Sequence, residues 1–306
     1  MKVLVAGATG TIGGTLVAQL LASGHAVYGL TRSKRGAQRL NAAGADAVVV
    51  DLLDADRLLT SLDGRAFDAI IHQATAITGM PTSHRSLYAT DALREQGTIN
   101  LMRIAESTGA TRFITQSFFH GYGYRDHGSE PVAEDGSFGE LTGHRGIDRH
   151  MRALRLNEQL VLQTPGIDGI ALRYGMFYGP EPMTMQLASW TRRRLLPVFR
   201  PSGVTSPIHI SDAASAAVAA LTRGRPGQAY NIADECPVGF DDYVRALAHV
   251  SGAPQPLTLP AWSLRAVPYV HTLMVGTSIR LSTVKARDEL NWTPIYPSIH
   301  EGLASL

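Results

Sequence analysis

A single cysteine, Cys236, stands in a chain of 306 residues. One thiol excludes an intrachain disulfide, argues against a cysteine-built metal site and points to a reducing compartment. No metal site is expected. Long apolar runs are missing too: none approaches the ~20 residues of a membrane span. The N-terminus reads directly as a strand instead of a signal peptide, so the expected location is cytoplasmic, with no membrane partner. Charge of one sign is also lacking. A formal net charge of +2 gives no reason to invoke nucleic acid, and Arg192, Arg193 and Arg194 read as a solvated helix end or an anion contact. The remaining composition, 44% hydrophobic and 18% charged, is that of an ordinary globule. The length suits one large α/β domain or a dinucleotide domain carrying a smaller lobe.

Glycine is present where it matters. The opening MKVLVAGATGTIGG runs a short buried strand (Val3, Leu4, Val5) into Gly7, Gly10 and Gly13, and a helical pattern of Ile12, Leu16, Val17, Leu20 and Leu21 follows. One glycine is wanted for the tight turn, a second so that backbone can approach a pyrophosphate, and a third so that the helix can lie close on the strand. The free N–H groups of the helix start then face phosphate charge. The loop residues Gly7, Thr9, Gly10, Thr11 and Ile12 are therefore cofactor-binding candidates. A second strand at 26–30 ends in Thr31-Arg32-Ser33-Lys34 without an acid. An acid there would bind the ribose hydroxyls of NAD, whereas Arg32 with Ser33 or Lys34 welcomes the 2′-phosphate of NADP. NADP is the expected cofactor, with NAD as the alternative.

Strands at 47–50, 67–72, 112–116 and 169–173 alternate with helical patterns, including a long one at about 83–108. That alternation predicts an α/β, Rossmann-type, doubly wound parallel sheet with right-handed crossovers. Ligands then sit outside the carboxyl ends of the strands. Asp54 is expected to cap the helix after the third strand. Asp51 at the end of that strand reads either as a turn cap or as a ligand contact. Gln73 and Ala74 follow the fourth strand among small residues that let backbone pass close to a cofactor.

The loop GATGTIGG resembles the cofactor loop of the extended short-chain dehydrogenases/reductases, the NAD-dependent epimerase/dehydratase group, and later segments carry the likeness over nearly the whole chain. The resemblance implies that Asp51 contacts the adenine amino group and that Leu52 packs near the ring. It implies a cofactor-side role for the Tyr178-Gly179-Pro180 turn of LRYGMFYGPEP, with Met176 and Phe177 walling the same pocket. It also implies that the strand at 230–232 returns and that residues 285–306 form a pair of helices about an Asn-Trp-x-Pro turn; His209 reads either as facing substrate or as a structural residue. Asp212 reads as an N-cap, and residues 185–196 as a helix containing Trp190. The expected division is a dinucleotide-binding domain at 1–174, with parts of 204–235 returning to it, and a smaller C-terminal α/β substrate lobe at 175–306. The stretch 254–283 should shape the pocket or a partner surface.

The family's proton machinery is altered. Its members use a Ser or Thr after the fifth strand, a Tyr, and a Lys four residues later. Alignment on Tyr122-Gly123 puts Phe118 at the Ser/Thr position, with Ser117 one residue earlier; counting back from Glu158 puts His150 at the Tyr position and Leu154 at the Lys position. No tyrosine of the chain has a lysine four residues on. The family's usual asparagine before Gly97 is here Arg94. His150, whose ordinary pKa of ~6.5 suits neutral-pH proton transfer, Ser117 and Tyr122 are the catalytic candidates; His120, Tyr124 and His144 lie near the same crevice. Phe118, His120, Met176, Trp190 and His209 are the expected substrate-pocket residues. Arg145, Arg149 and Arg152 share one helix face, read as solvated or as a guanidinium row for an acidic substrate.

Three functions fit. The first is a reductase acting on a small organic molecule, such as a secondary metabolite, with a non-standard proton donor. The second is a non-redox cyclase, isomerase or lyase using the same pocket, and the third an NADP-binding sensor. The expected partner is a small-molecule substrate, and the resemblance implies a homodimer.

Overall fold

A computed structural model describes residues 1–77 and 79–306. The strands of its main sheet are β1 (Lys2–Ala6), β2 (Ala26–Thr31), β3 (Asp46–Val49), β4 (Ala69–His72), β5 (Arg112–Phe118), β6 (Asp168–Tyr174) and, after four short strands outside this sheet, β11 (Gln228–Ile232). All pair in parallel in the order β11-β6-β5-β4-β1-β2-β3. The strand order reverses between β1 and β4, the point at which such sheets open a crevice beyond their carboxyl ends.

Alternation along the strands explains the two-faced core. Val3, Val5, Ile71 and Ile114 pack on one face with Leu16, Val17 and Leu20 of α1 (Gly13–Ala22) and the alanine row of α8 (Ile210–Arg223). Leu4, Ala6, Ile70 and Phe113 pack on the other, against Leu58 and Leu62 of α3 (Ala55–Leu62), Leu101 and Ile104 of α5 (Thr98–Thr108) and Val161 of α6 (Arg145–Gln163). With both faces covered, β1 and β4 are apolar without interruption up to His72. Asp54 caps α3 as expected, accepting from the Arg57 N–H.

The helix expected at about 83–108 is in fact a composite. A 3₁₀ turn (His84–Leu87) leads into α4 (Tyr88–Ala92), then a π-helical turn (Leu93–Gly97), then α5. The π turn places Gly97 against Leu52, whose side chain a Cβ at Gly97 would crowd at 3.0 Å. Arg94 within the π turn and Asp91 in α4 just before it are both buried.

Beyond β6, the short β7 (Met176–Tyr178) pairs with β10 (Pro207–His209). Helix α7 (Pro182–Arg192) starts earlier than the expected 185, because Glu181 caps it and Pro182 stands at its first position. Helix α9 (Phe240–Val250) packs on α7, and α10 (Pro268–Met274) lies beyond it. The expected C-terminal pair is α11 (Val284–Leu290) and α12 (Ile299–Leu303). Asp212 is not the cap of α8. His209 fills that position by accepting from the Ser211 N–H, and Asp212 instead accepts from the backbone of Ile295 and Tyr296, tying down the Asn-Trp-x-Pro turn. No helix among the described residues is long and apolar enough to cross a membrane.

Candidate active site

The β1–α1 loop has the form a dinucleotide phosphate requires. Gly7 adopts φ +86, and a Cβ there would meet the Gln73 and Ala74 backbone at 2.6 Å. A Cβ at Gly13 would overlap the carbonyl oxygen of Gly7. The Gly13 N–H bonds the Gly10 carbonyl, but no side chain caps α1 and its first turn holds no acid, so no side-chain acceptor competes with an anion at the helix start. Thr11 and Ile12 line one end of a cavity of about 190 Å³, and Gln73 lines it from the end of β4. This constellation fits a nicotinamide dinucleotide.

At the adenine end, Arg32 and Ser33 are exposed at the end of β2. Ser33 accepts from the Gly36 N–H at 3.0 Å as the cap of α2 (Lys34–Ala42), which leaves the Arg32 guanidinium as the freer anion donor. Asp51 is exposed and accepts from the Leu53 N–H, a turn-capping bond. Leu52 is buried beside it, its carbonyl held by Asn100. Ala74 donates its N–H to His72 Nδ1, and Gln73 donates to the Tyr174 hydroxyl.

The cavity continues from the loop to the residues around the altered tyrosine position. Gln116, Phe118, His120, Tyr124, His150, Leu154, Met176 and Phe177 line it, with Arg94 and, from the 254–283 stretch, Tyr269, Leu273 and Met274. Phe118, His120, Met176 and His150 are thus brought together as expected. Ser117 is not: successive residues of β5 alternate, so Gln116 and Phe118 reach the cavity while Ser117 does not line it and stays fully buried. Nor does Tyr122. Its hydroxyl donates to Asn231 and accepts from Arg173, and burial pushes its pKa up to about 12.

Three further expectations need correction. The Tyr178 ring lies in an apolar cluster with Tyr243, Val244 and Ile299, and its hydroxyl bonds Asp234 and the Ser298 carbonyl instead of facing a cofactor. Gly179, at φ +130, supports that turn against His209, and Pro180 is exposed. Neither His209, buried as a helix cap, nor Trp190 lines the cavity.

The chemistry gathers on α4 and α6. His150 Nδ1 lies 2.7 Å from Asp91 Oδ2, both groups buried, and His150 Nε2 lies 3.1 Å from His84 Nδ1. Both ring nitrogens of His150 are thus engaged, Nδ1 by Asp91 and Nε2 by His84. His84 is half-buried and stacks on His150, so the pair forms a path from cavity toward solvent. Burial and the neighbouring histidines lower the His84 pKa to about 4. His120 stacks on Tyr124 with ring centroids 4.8 Å apart, and burial followed by the charge of Arg94 lowers its pKa to about 3. Burial pushes the Tyr124 phenol strongly up, so it stays a neutral hydroxyl. His144 caps α6 through the Ile147 N–H, and does not line the cavity. Arg145, Arg149 and Arg152 are exposed, Arg149 lying over Tyr88 and 3.7 Å from Asp91.

Asp91 and His84 carry no sequence signal, since an acid or a histidine in a helical stretch ordinarily reads as solvated. Arg94 did carry one, as the departure from the family's asparagine.

Residues 3–233 match the profile of the NAD dependent epimerase/dehydratase family. A 3-diazoavenalumate denitrifying reductase of a Streptomyces species is 34% identical over 99% of this chain and 99% of its own. A 4-hydroxy-2-methyl-3-oxo-4-farnesyl-3,4-dihydroquinoline-1-oxide ketoreductase of Stigmatella aurantiaca is 23% identical over 95% and 92% of the two chains. In fold, the chain resembles the UDP-glucose 4-epimerase of Thermotoga maritima, with TM-score 0.80, 19% identity and coverage of 100% and 97%. It also resembles an NAD-bound dTDP-glucose 4,6-dehydratase of Streptomyces venezuelae, with TM-score 0.79, 23% identity and coverage of 100% and 95%.

Proposed function

The chain belongs to the NAD dependent epimerase/dehydratase family, and from that premise we propose that it is an NADP-dependent reductase of a small, largely apolar organic molecule, with His150 in place of the family's tyrosine as the proton-handling group. The observation that carries this reading is one cavity that runs from the loop residues Thr11 and Ile12 to His150. When bound, the dinucleotide supplies a hydride from its nicotinamide ring. The chain's own residues do the rest. Gly7, Gly10 and Gly13 let the backbone approach the phosphates, and Arg32 favours the 2′-phosphate of NADP. Phe118, Met176 and Phe177 exclude water from the reacting end. Asp91 orients the His150 ring, so that Nε2, once its bond to His84 is exchanged for one to substrate, can give the proton that a newly reduced oxygen takes up.

One observation favours a variant of this reading. The Ser/Thr and Lys positions hold Phe118 and Leu154, so no hydroxyl or ammonium there polarises a substrate oxygen. The Streptomyces relative is named for reducing a diazo compound with loss of nitrogen. An acceptor that releases dinitrogen as it takes up hydride forms a carbon–hydrogen bond without any proton reaching an oxygen, and needs no such hydroxyl.

Both forms are tested by incubating the protein with NADPH and a panel of aryl ketones and arenediazonium salts, following nicotinamide absorbance and product together. Substrate-dependent loss of NADPH supports the reductase. Product without NADPH loss transfers the pocket to non-redox chemistry.

A further inference from the structure

The two buried arginines at this end of the sheet are held very differently. Arg173 is saturated: its fork meets both carboxylate oxygens of Glu158 at 3.0 and 2.8 Å, and its remaining nitrogen donates to the Tyr122 hydroxyl and the Glu134 carbonyl. Arg94 is 6% exposed and lines the cavity, yet its Nε has no hydrogen-bond partner among the described residues. The carboxylate nearest its fork, Asp91, stands 3.9 Å from Nη1, beyond hydrogen-bond reach, and the Asp91 oxygen on that side is unpartnered as well.

A guanidinium brings five N–H donors in a fixed plane, and burying them unmet is costly unless something supplies acceptors. Asp91 does not. Its other oxygen is engaged by His150 at 2.7 Å, and its single negative charge is shared with Arg149 at 3.7 Å. Asp91 stands within ion-pair distance of both Arg94 and Arg149, but Arg149 is exposed and does not line the cavity, and His120 is held neutral beside them. The cavity wall here therefore carries a buried guanidinium with free planar donors. The phosphate-loop residues Thr11 and Ile12 line the same cavity. Its lining is otherwise largely apolar and aromatic, with Leu87, Phe118, Tyr124, Tyr269 and Leu273 among it.

We propose that Arg94 anchors the substrate through a carboxylate, so that the pocket takes a compact aromatic or unsaturated acid with its charged end on the π turn and its apolar body along Phe118 and Tyr269. This names the substrate class for the reductase proposed above and rests on that reading for the identity of the reaction, not for the binding. A planar carboxylate matches the guanidinium fork and supplies two acceptors at once. The π turn is the device that aims Arg94 inward, as such turns often do at functional sites.

The test is calorimetric titration of the full-length protein, with and without saturating NADP, against paired probes: benzoate and benzamide, cinnamate and cinnamamide, 3-phenylpropanoate and its amide. The expected result is a preference for the acid of about tenfold or more in at least one pair, of the size charge-assisted bidentate bonds give. In Arg94→Met that ratio falls to about one while NADP affinity is unchanged, and Arg94→Lys keeps part of it. If no pair shows an acid preference in the unaltered protein, or if the preference survives in a folded Arg94→Met, the proposal is overturned. The unaltered protein alone decides the first arm, and Arg94→Lys serves if Arg94→Met does not fold. Failure of NADP to bind, with the acid preference intact, would overturn the reductase reading and leave the anchor standing.

Discussion

His150 Nδ1 and Asp91 Oδ2, 59 residues apart in the chain, meet at 2.7 Å with both side chains out of water. The pair orients an imidazole that lines the cavity. Asp91 does not touch the space a substrate occupies; it is a positioning residue that acts through His150. Asp91→Asn is expected to lower kcat by about a hundredfold or more, with little change in KM, for a substrate whose product oxygen takes up a proton. The conservative Asp91→Glu should recover part of the loss. The pH profile of kcat is the discriminating readout, since losing the carboxylate moves the limb that reports His150. For a substrate reduced with loss of dinitrogen, the same variants should leave kcat within a few-fold.

The buried histidines set an acid limit on stability. His72 and His120 have folded pKa values lowered by burial to about 4 and about 3 from the ordinary imidazole value of ~6.5. The unfolded chain therefore binds protons first. Their contribution is fully present above pH 6.5 and is lost progressively as pH falls toward 4, at about 1.4 kcal/mol per pH unit for each histidine. For His72 burial is the main cause and the charge of Arg94 adds to it; a second ring proton would also break the bond that Nδ1 accepts from the Ala74 N–H. Melting curves between pH 8 and pH 4.5 should show a Tm that falls steeply below 6.5. A flat profile would show that these rings are not held neutral.

Tyr122 and His150 separate structure from chemistry. Tyr122→Phe removes bonds to Arg173 and Asn231 but nothing that lines the cavity. It should cost about 1 kcal/mol of stability and leave kcat unchanged. His150→Phe should do the reverse for a carbonyl substrate, abolishing turnover while NADP still binds. Equal losses in both variants would place Tyr122 back in the reaction.

Gly13 and Gly14 are neighbours with opposite expectations. A methyl group at Gly13 collides with the Gly7 carbonyl, so Gly13→Ala should weaken nucleotide binding and lower Tm together. Gly14 has nothing within 4 Å of its Cβ position, and Gly14→Ala should raise stability by about 0.5–1 kcal/mol through helix propensity. Nucleotide titration and thermal melts of the two variants check this.

The features legible in the sequence were those whose causes are local. The run Val3-Leu4-Val5 followed by spaced glycines announces strand, turn and helix within fourteen residues, and the repeat of that pattern gives the sheet. Features depending on distant partners were not legible. Tyr178 reads as a cofactor turn until Asp234 and Ser298 are seen to claim its hydroxyl, and Asp212 as a helix cap until Ile295 and Tyr296 are seen to claim its carboxylate. Asp91 and Arg94 were hardest. Periodicity places them on a helix, but it announces neither the π turn that holds Arg94 nor the burial of Asp91 just before it.

The central claim is that the opening glycine loop holds a nicotinamide dinucleotide whose reactive end reaches the His150 cavity. Titration of the purified protein with NADPH and NADH, read by nicotinamide fluorescence, tests it most directly. The account predicts saturable binding at one nucleotide per chain, tighter for NADPH than for NADH, with the difference lost in Arg32→Ala. No association with either nucleotide would contradict it.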